Sequence, residues 1–188
     1  MATDFGRRTA EELRRLAEQL ERDAAALDGL ARWAADLIVG GARLLVCGNG
    51  GSASQASHFA TELVGRYCAE RRPLPAVALS ADGSLLTCII NDYAADALFA
   101  RQVLGLGRPG DLLVGLTTSG KSPNVIAAVQ AAKKQGLHTL ALLGKGGGPL
   151  KGQAEREWVV PSNTTARIQE AHLFFIHLTC EYIDAALS

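Results

Sequence analysis

Five short apolar runs, at residues 43–47, 76–80, 112–117, 139–143 and 158–160, recur along the chain with helix-like segments between most of them. This alternation restricts the fold more than any other feature, because strands separated by crossover helices pair in parallel and need helices on both faces. The connecting helices are expected at 53–66, 94–104 and 123–135, with a last one at 165–186. The predicted class is α/β: a three-layer, doubly wound, five-stranded parallel sheet of the flavodoxin-like kind, with ligands expected beyond the carboxyl ends of its strands. Ahead of the first strand, residues 9–37 are nearly all helix formers. Leu13, Leu16, Leu20, Leu27 and Leu30 repeat there at helical spacing, which predicts one long amphipathic N-terminal helix. Such a helix either covers its own domain or packs on another copy, and its length favours some of the second. With no repeat, low-complexity tract or linker in 188 residues, a single domain spanning 1–188 is expected, with 1–40 used in packing and oligomerisation and 41–188 as the α/β core.

Composition narrows the function classes. Apolar residues make up 48% and charged residues 20% of the chain, too hydrophobic for a chain that stays disordered. Nineteen basic and nineteen acidic side chains cancel, so no overall positive field draws the chain to nucleic acid or anionic lipid. The four cysteines form no C-x-x-C pair and read as small buried hydrophobes in a reducing compartment. No run approaches the roughly 18 apolar residues that cross a bilayer. A cytoplasmic protein without a membrane partner is expected.

Two loops have the makings of anion sites. The first strand ends in Gly48-Asn49-Gly50-Gly51-Ser52 and runs into a helix, so free amides and a helix N-terminus face one space. Read with Ala53, it also satisfies the dinucleotide pattern G-x-G-x-x-G/A, with Asp82 near the end of the second strand as a ribose-binding acid. A glycine turn needed only for the bend is the plain alternative. The third strand ends in Thr117-Thr118-Ser119-Gly120-Lys121-Ser122-Pro123. Its hydroxyls, with Ser122 as N-cap and Pro123 in the first turn, can surround a phosphate monoester or simply start a capped helix. Residues 115–122 also spell the P-loop pattern, but Gly115 falls inside the apolar run and Pro123 restricts Ser122, so the match reads as accidental.

His58 and Glu62, four residues apart, share a helix face, where they can move protons, bind a metal or form a surface ion pair. In the last helix His172 and His177 lie in or beside the apolar run 173–178, and each needs a partner, whether in the core or at a subunit contact.

Taken together, CGNGGSASQASHFATELVGRY, ALSADGSLLTCIINDY, LTTSGKSPNV and TTARIQEAHLFFIH resemble the phosphoheptose isomerases of the sugar-isomerase (SIS) domain superfamily, in the right order and from the first helix to the end of the chain. The resemblance implies interconversion of sedoheptulose 7-phosphate and D-glycero-D-manno-heptose 7-phosphate, the entry to nucleotide-activated heptoses. It also implies a cytoplasmic homotetramer with active sites between subunits, and zinc. By the family's motif, the Asn49, Gly50, Gly51 and Ser52 loop contacts the sugar phosphate, together with Asn91 and Asp92. Thr117, Thr118, Ser119 and Ser122 hold the phosphate. His58, Glu62, Gln169 and His177 match the metal-binding set, and Glu62 and His177 the acid–base pair. Some relatives carry an acid where this chain has Ala166, and Lys121 stands where asparagine is frequent.

The implied reaction needs two differently tuned groups, one to carry a carbon-bound proton and one to serve the oxygens. Glu62 is assigned the first role and His177 the second. Eight residues of regular helix give about 12 Å of rise and roughly 80° of rotation, so Gln169 and His177 meet one ion only through long side chains, a bend or a second subunit. A different class of function is a non-catalytic SIS module of the kind that binds the bacterial replication initiator. Counterparts of Glu62 and His177, absent from that protein, favour the enzyme.

Overall fold

Leu44, Leu45, Val46 and Cys47 are all fully buried, because β1 (Leu44–Gly48) is an interior strand covered on both faces. Side chains alternate across a strand, and the two faces collect separate cores. Leu44 and Val46, with Leu112, Val114, Leu140 and Leu142, pack against Leu27, Ile38, Phe59, Leu63, Phe175 and Ile176. Leu45 and Cys47, with Leu113, Ala141 and Leu143, pack against Ile89, Phe99, Val103 and Val129. Three layers result.

This computed structural model describes residues 4–188; residues 1–3, the first of the expected 1–40 segment, lie outside the described residues. The helices are α1 (Phe5–Arg22), α2 (Ala24–Val39), α3 (Gly51–Val64), α4 (Gly83–Asp92), α5 (Ala97–Leu106), α6 (Pro123–Lys134) and α7 (Thr165–Leu187), with a 3-10 segment at Lys145–Leu150. β2 (Ala76–Ala78), β3 (Leu112–Thr117), β4 (His138–Leu143) and β5 (Arg156–Val159) complete a sheet of order β2-β1-β3-β4-β5, parallel throughout. Helices α2, α3 and α7 cover one face and α4, α5 and α6 the other. The chain leaves β1 toward β2 and β3 toward β4, so the order reverses between β1 and β3. A doubly wound sheet opens its ligand crevice at that switch point.

Three expectations are corrected. The long N-terminal helix is two helices, broken at Asp23 (φ −91°, ψ 1°), whose carboxylate accepts from Gln19 Nε2 at 2.9 Å. The break lets α2 bury Leu27, Ala31, Ala34, Ala35 and Ile38, whereas α1 buries Leu16 alone. Helix α4 was not expected. Asp82, weighed as a ribose-binding acid, is its N-cap and accepts from the amides of Ser84 and Leu85, which removes the dinucleotide reading's key group. Of the four cysteines, Cys47 and Cys180 are buried as expected, but Cys68 and Cys88 are exposed. Elsewhere the strands and helices fall within a few residues of expectation.

Candidate active site

Both anion loops sit at the carboxyl edge of the sheet, side by side, since Gly48 of β1 pairs with Leu116 of β3. Gly50 (φ 55°) is the N-cap of α3 and leaves the first amides of that helix free of any side-chain cap. A Cβ on Gly51 would lie 2.4 Å from Gln169 Nε2, so a larger residue there would displace the Gln169 carboxamide. In the second loop Thr117 and Ser122 hydroxyls are 3.1 Å apart, and Ser119 Oγ accepts from the Lys121 amide at 3.2 Å. Ser122 is the N-cap as expected, yet its hydroxyl turns to Thr117 rather than to the helix amides; its carbonyl accepts from the amides of Val125 and Ile126 and Pro123 has no N–H, so Asn124 carries the one free amide of the first turn. Gly115 lies within β3, paired with Cys47, which confirms that the P-loop spelling is accidental.

Two turns down α3, His58 meets His177 of α7, Nε2 to Nε2, at 3.0 Å, and the Glu62 carboxylate stands 3.4 Å from His58 Nε2. Residues remote in sequence are thus brought together within one chain. One imidazole donates and the other accepts, and either can do so. Burial, reinforced by the neighbouring His58, lowers the His177 pKa below the ordinary histidine value, against the pull of Glu62 and Glu181. A histidine so placed stays neutral at physiological pH and can both give and take a proton. The Tyr67 ring lies tilted on His177 with centroids 5.6 Å apart.

Arg71, a buried side chain to which the sequence reading assigned no role, fixes this arrangement. Its guanidinium donates to the carbonyls of Glu62 (2.7 Å) and Leu63 (3.0 Å), satisfying acceptors that the end of α3 leaves open. It also pairs with Asp184 of α7 at 3.0 Å. Asp184 in turn accepts from the amides of Cys68 and Ala69. Burial alone would raise the Asp184 carboxyl, but those amides and Arg71 outweigh it and hold its pKa below the usual range. The carboxyl end of α3, which carries Glu62, is therefore bolted to α7, which carries His177. Gln55 adds a second tie, donating to the Gln169 carbonyl at 2.5 Å while its Oε1 is buried without a partner. Arg167, by contrast, pairs with Glu170 and reaches Thr9 and Glu12 of α1, so these two residues of the R-I-Q-E motif anchor α1.

The remaining candidates are not gathered so closely. The Gln169 carboxamide rests against Gly51, seven residues or about 10 Å of helix rise from His58, at the loop rather than at the histidines. Asn91, exposed with Asp92 at the end of α4, donates to the Asp92 carboxylate at 2.8 Å, which also accepts from the Cys88 thiol. Thr118 is half-buried beside its loop. As metal donors, two imidazoles and a carboxylate are of the N/O type that suits zinc. Their 3.0 Å nitrogen separation is near the roughly 3.3 Å between ligands of a tetrahedral zinc ion. The donor chemistry fits, although among the described residues no three His, Cys, Asp or Glu side chains already form a cage.

A switch-point crevice with two amide-rich loops, closed by an imidazole pair and a carboxylate, defines a SIS domain, and residues 10–144 match the SIS domain family. The chain is 53% identical over 152 residues to the phosphoheptose isomerase of Campylobacter concisus, covering 81% of this chain and 80% of that protein. It is 48% identical over 175 residues to that of Geobacter sulfurreducens, covering 93% of each. The solved phosphoheptose isomerase of Neisseria gonorrhoeae superposes with a TM-score of 0.87 at 41% identity, over 97% of this chain and 100% of that one. The chain belongs to the phosphoheptose isomerase family.

Proposed function

We propose that the chain is an aldose–ketose isomerase converting sedoheptulose 7-phosphate to D-glycero-D-manno-heptose 7-phosphate through an enediol, the first step toward nucleotide-activated heptoses. The observation that carries this reading is the convergence of His58, Glu62 and His177 beside two anion loops, in a chain of this family. The phosphate is held by the free Asn124 amide at the start of α6 and by the hydroxyls of Thr117, Thr118, Ser119 and Ser122. The sugar lies across the Asn49 to Ser52 loop, with Asn91, Asp92 and Gln169 along it.

Glu62, as carboxylate, takes the proton from C1 of the ketose. The C–H electron pair becomes the C1–C2 double bond, and the C2 oxygen gains a proton, giving the enediol. Glu62 then returns its proton to C2 while the C1 hydroxyl loses one and becomes the aldehyde, so nothing is gained or lost overall. His177, neutral and able to act in both senses, moves the oxygen-bound protons, and His58 relays through the shared hydrogen bond. Zinc belongs to this reading: His58, Glu62 and His177 of one chain would hold it, with Gln169 completing the set only across a subunit contact, and when bound it would polarise the carbonyl and enediol oxygens. The working form is a homotetramer with active sites between subunits, a reading supported by large apolar side chains exposed on the single chain, Phe174, Val64, Ile90 and Tyr93 among them. A cytoplasmic setting suits its two exposed free thiols.

The test incubates the purified protein with sedoheptulose 7-phosphate in deuterated water, with and without chelator, and follows isomerisation and label uptake by NMR. Conversion slowed by chelator is expected, with deuterium entering at C2 in those turnovers in which the Glu62 carboxyl exchanges with solvent before returning its proton. A folded protein inert under both conditions overturns the isomerase reading in favour of the binding module.

A further inference from the structure

The crevice between β1 and β3 is crossed by one side-chain link. Asn49 Nδ2 donates to Asn124 Oδ1 and Asn124 Nδ2 donates to Asn49 Oδ1, both at 2.9 Å. Asn49 belongs to the first anion loop, and Asn124 is the second residue of α6, directly after the phosphate loop. Among the described residues no other side-chain hydrogen bond joins segment 48–52 to segment 117–124.

A reciprocal carboxamide pair is orientation-specific. Turning either amide by half a revolution sets oxygen against oxygen and NH2 against NH2, losing both bonds at once. With one N–H and one lone pair given to Asn124, Asn49 keeps one N–H and one lone pair for other groups. The two point to opposite flanks of the pair, so they meet different groups, and a sugar, whose neighbouring hydroxyls both donate and accept, offers a partner to either.

We propose that Asn124 is a positioning residue for the sugar. It fixes the carboxamide plane of Asn49 across the mouth of the site, so that the free N–H of Asn49 is held toward an oxygen of the sugar. This rests on the isomerase reading above. Asn124 acts through Asn49, and its own contact with substrate is not required. Freed of its partner, the exposed Asn49 amide samples rotamers that present the wrong atom.

A double-mutant cycle tests it. Asn49→Ala, Asn124→Ala and the double variant are compared with the wild type in KM and kcat for sedoheptulose 7-phosphate, and in calorimetric Kd for sedoheptulose 7-phosphate and for inorganic phosphate. Asn124→Ala is expected to raise KM about tenfold, the size of one well-placed hydrogen bond, and to change the inorganic phosphate Kd less than twofold. Added to Asn49→Ala, it is expected to raise KM less than twofold further. Three results overturn the proposal: an unchanged KM in Asn124→Ala, effects that multiply in the double variant, or an equal loss of inorganic phosphate affinity. A wild type that binds sedoheptulose 7-phosphate without converting it overturns the isomerase reading, and the same cycle, read through Kd, still decides the role of Asn124. A wild type that neither binds nor converts it overturns both.

Discussion

A residue that accepts a proton from carbon can be disabled without disturbing its surroundings only if its side chain holds nothing else in place. Glu62 meets that condition: its carboxylate touches His58, and the Arg71 tie is to its backbone carbonyl. Glu62→Gln is therefore expected to lower kcat by about 10²- to 10⁴-fold, with circular dichroism and thermal stability unchanged; full turnover in a folded variant would remove Glu62 from the chemistry. His172 makes a prediction of another kind. It is fully buried, its Nε2 donates to the Leu143 carbonyl at 3.2 Å, and its Nδ1 has no partner. Burial drives its pKa from 6.5 down to about 4. The folded chain then refuses a proton that the unfolded chain accepts. Its contribution is fully present above pH 6.5 and lost as pH falls toward 4, by up to about 3 kcal/mol at about 1.4 kcal/mol per pKa unit. Urea unfolding between pH 7 and pH 4 reads this slope, and His172→Phe should flatten it. The i,i+4 pair His58 and Glu62 was legible in the sequence because helical spacing alone sets it. The meeting of His58 with His177, and the parts played by Tyr67, Gln55 and Arg71, depend on α3 and α7 packing together on one face of the sheet, and the part of Asn124 on the β1 and β3 loops meeting at its edge, which no local pattern records.

Between elements, two joints hold the site, and each can be broken on its own. Arg71 and Asp184 join α3 to α7 with side chains almost wholly out of water. Removing one partner leaves an uncompensated buried charge, so Arg71→Met is expected to cost about 3–5 kcal/mol in denaturant unfolding. Because Asp184 has a lowered pKa, its contribution is full above the unfolded carboxyl value of about 3.9 and fades as pH drops through the folded one. The second joint sets the phosphate loop against the 3-10 segment. Gly120 (φ 63°) has no room for a Cβ, which would lie 1.7 Å from the Gly147 carbonyl oxygen, and its own carbonyl accepts from Leu150 N at 3.1 Å. Gly120→Ala is expected to raise KM for the sugar phosphate more than tenfold and to cost about 1–2 kcal/mol or more from the left-handed backbone alone, as steady-state kinetics and unfolding together would show. Clean periodicity and caps made β1, β3, β4, α3, α6 and α7 readable. The α1–α2 break was hidden because a one-residue kink at Asp23 leaves the leucine spacing on either side intact. Helix α4 was missed because an aspartate after a strand reads equally as a ligand and as a cap, and only the Ser84 and Leu85 amides decide between them.

At the scale of the whole molecule, 19 basic and 19 acidic residues leave no net charge at neutral pH to keep copies apart. The two N-terminal helices differ in burial: α2 is absorbed into the core, whereas α1 buries only Leu16 and leaves Leu13 46% exposed. On α7, Phe175 and Ile176 fill the core while Phe174, on the opposite side and three residues before His177, is 42% exposed. Val64, two residues beyond Glu62, is 52% exposed. Large apolar side chains left in water beside the proposed catalytic groups on both helices are the arrangement expected where copies meet at a shared site. The chain is accordingly expected to sediment as an oligomer, a tetramer under the function proposed above. Phe174→Asp, which takes nothing from the core of the single chain, should shift it toward smaller species and lower kcat at least tenfold, while far-ultraviolet dichroism stays the same. A Phe174→Asp protein that is monomeric and fully active would show instead that His58, Glu62 and His177 of one chain, together with its own two loops, suffice for the reaction.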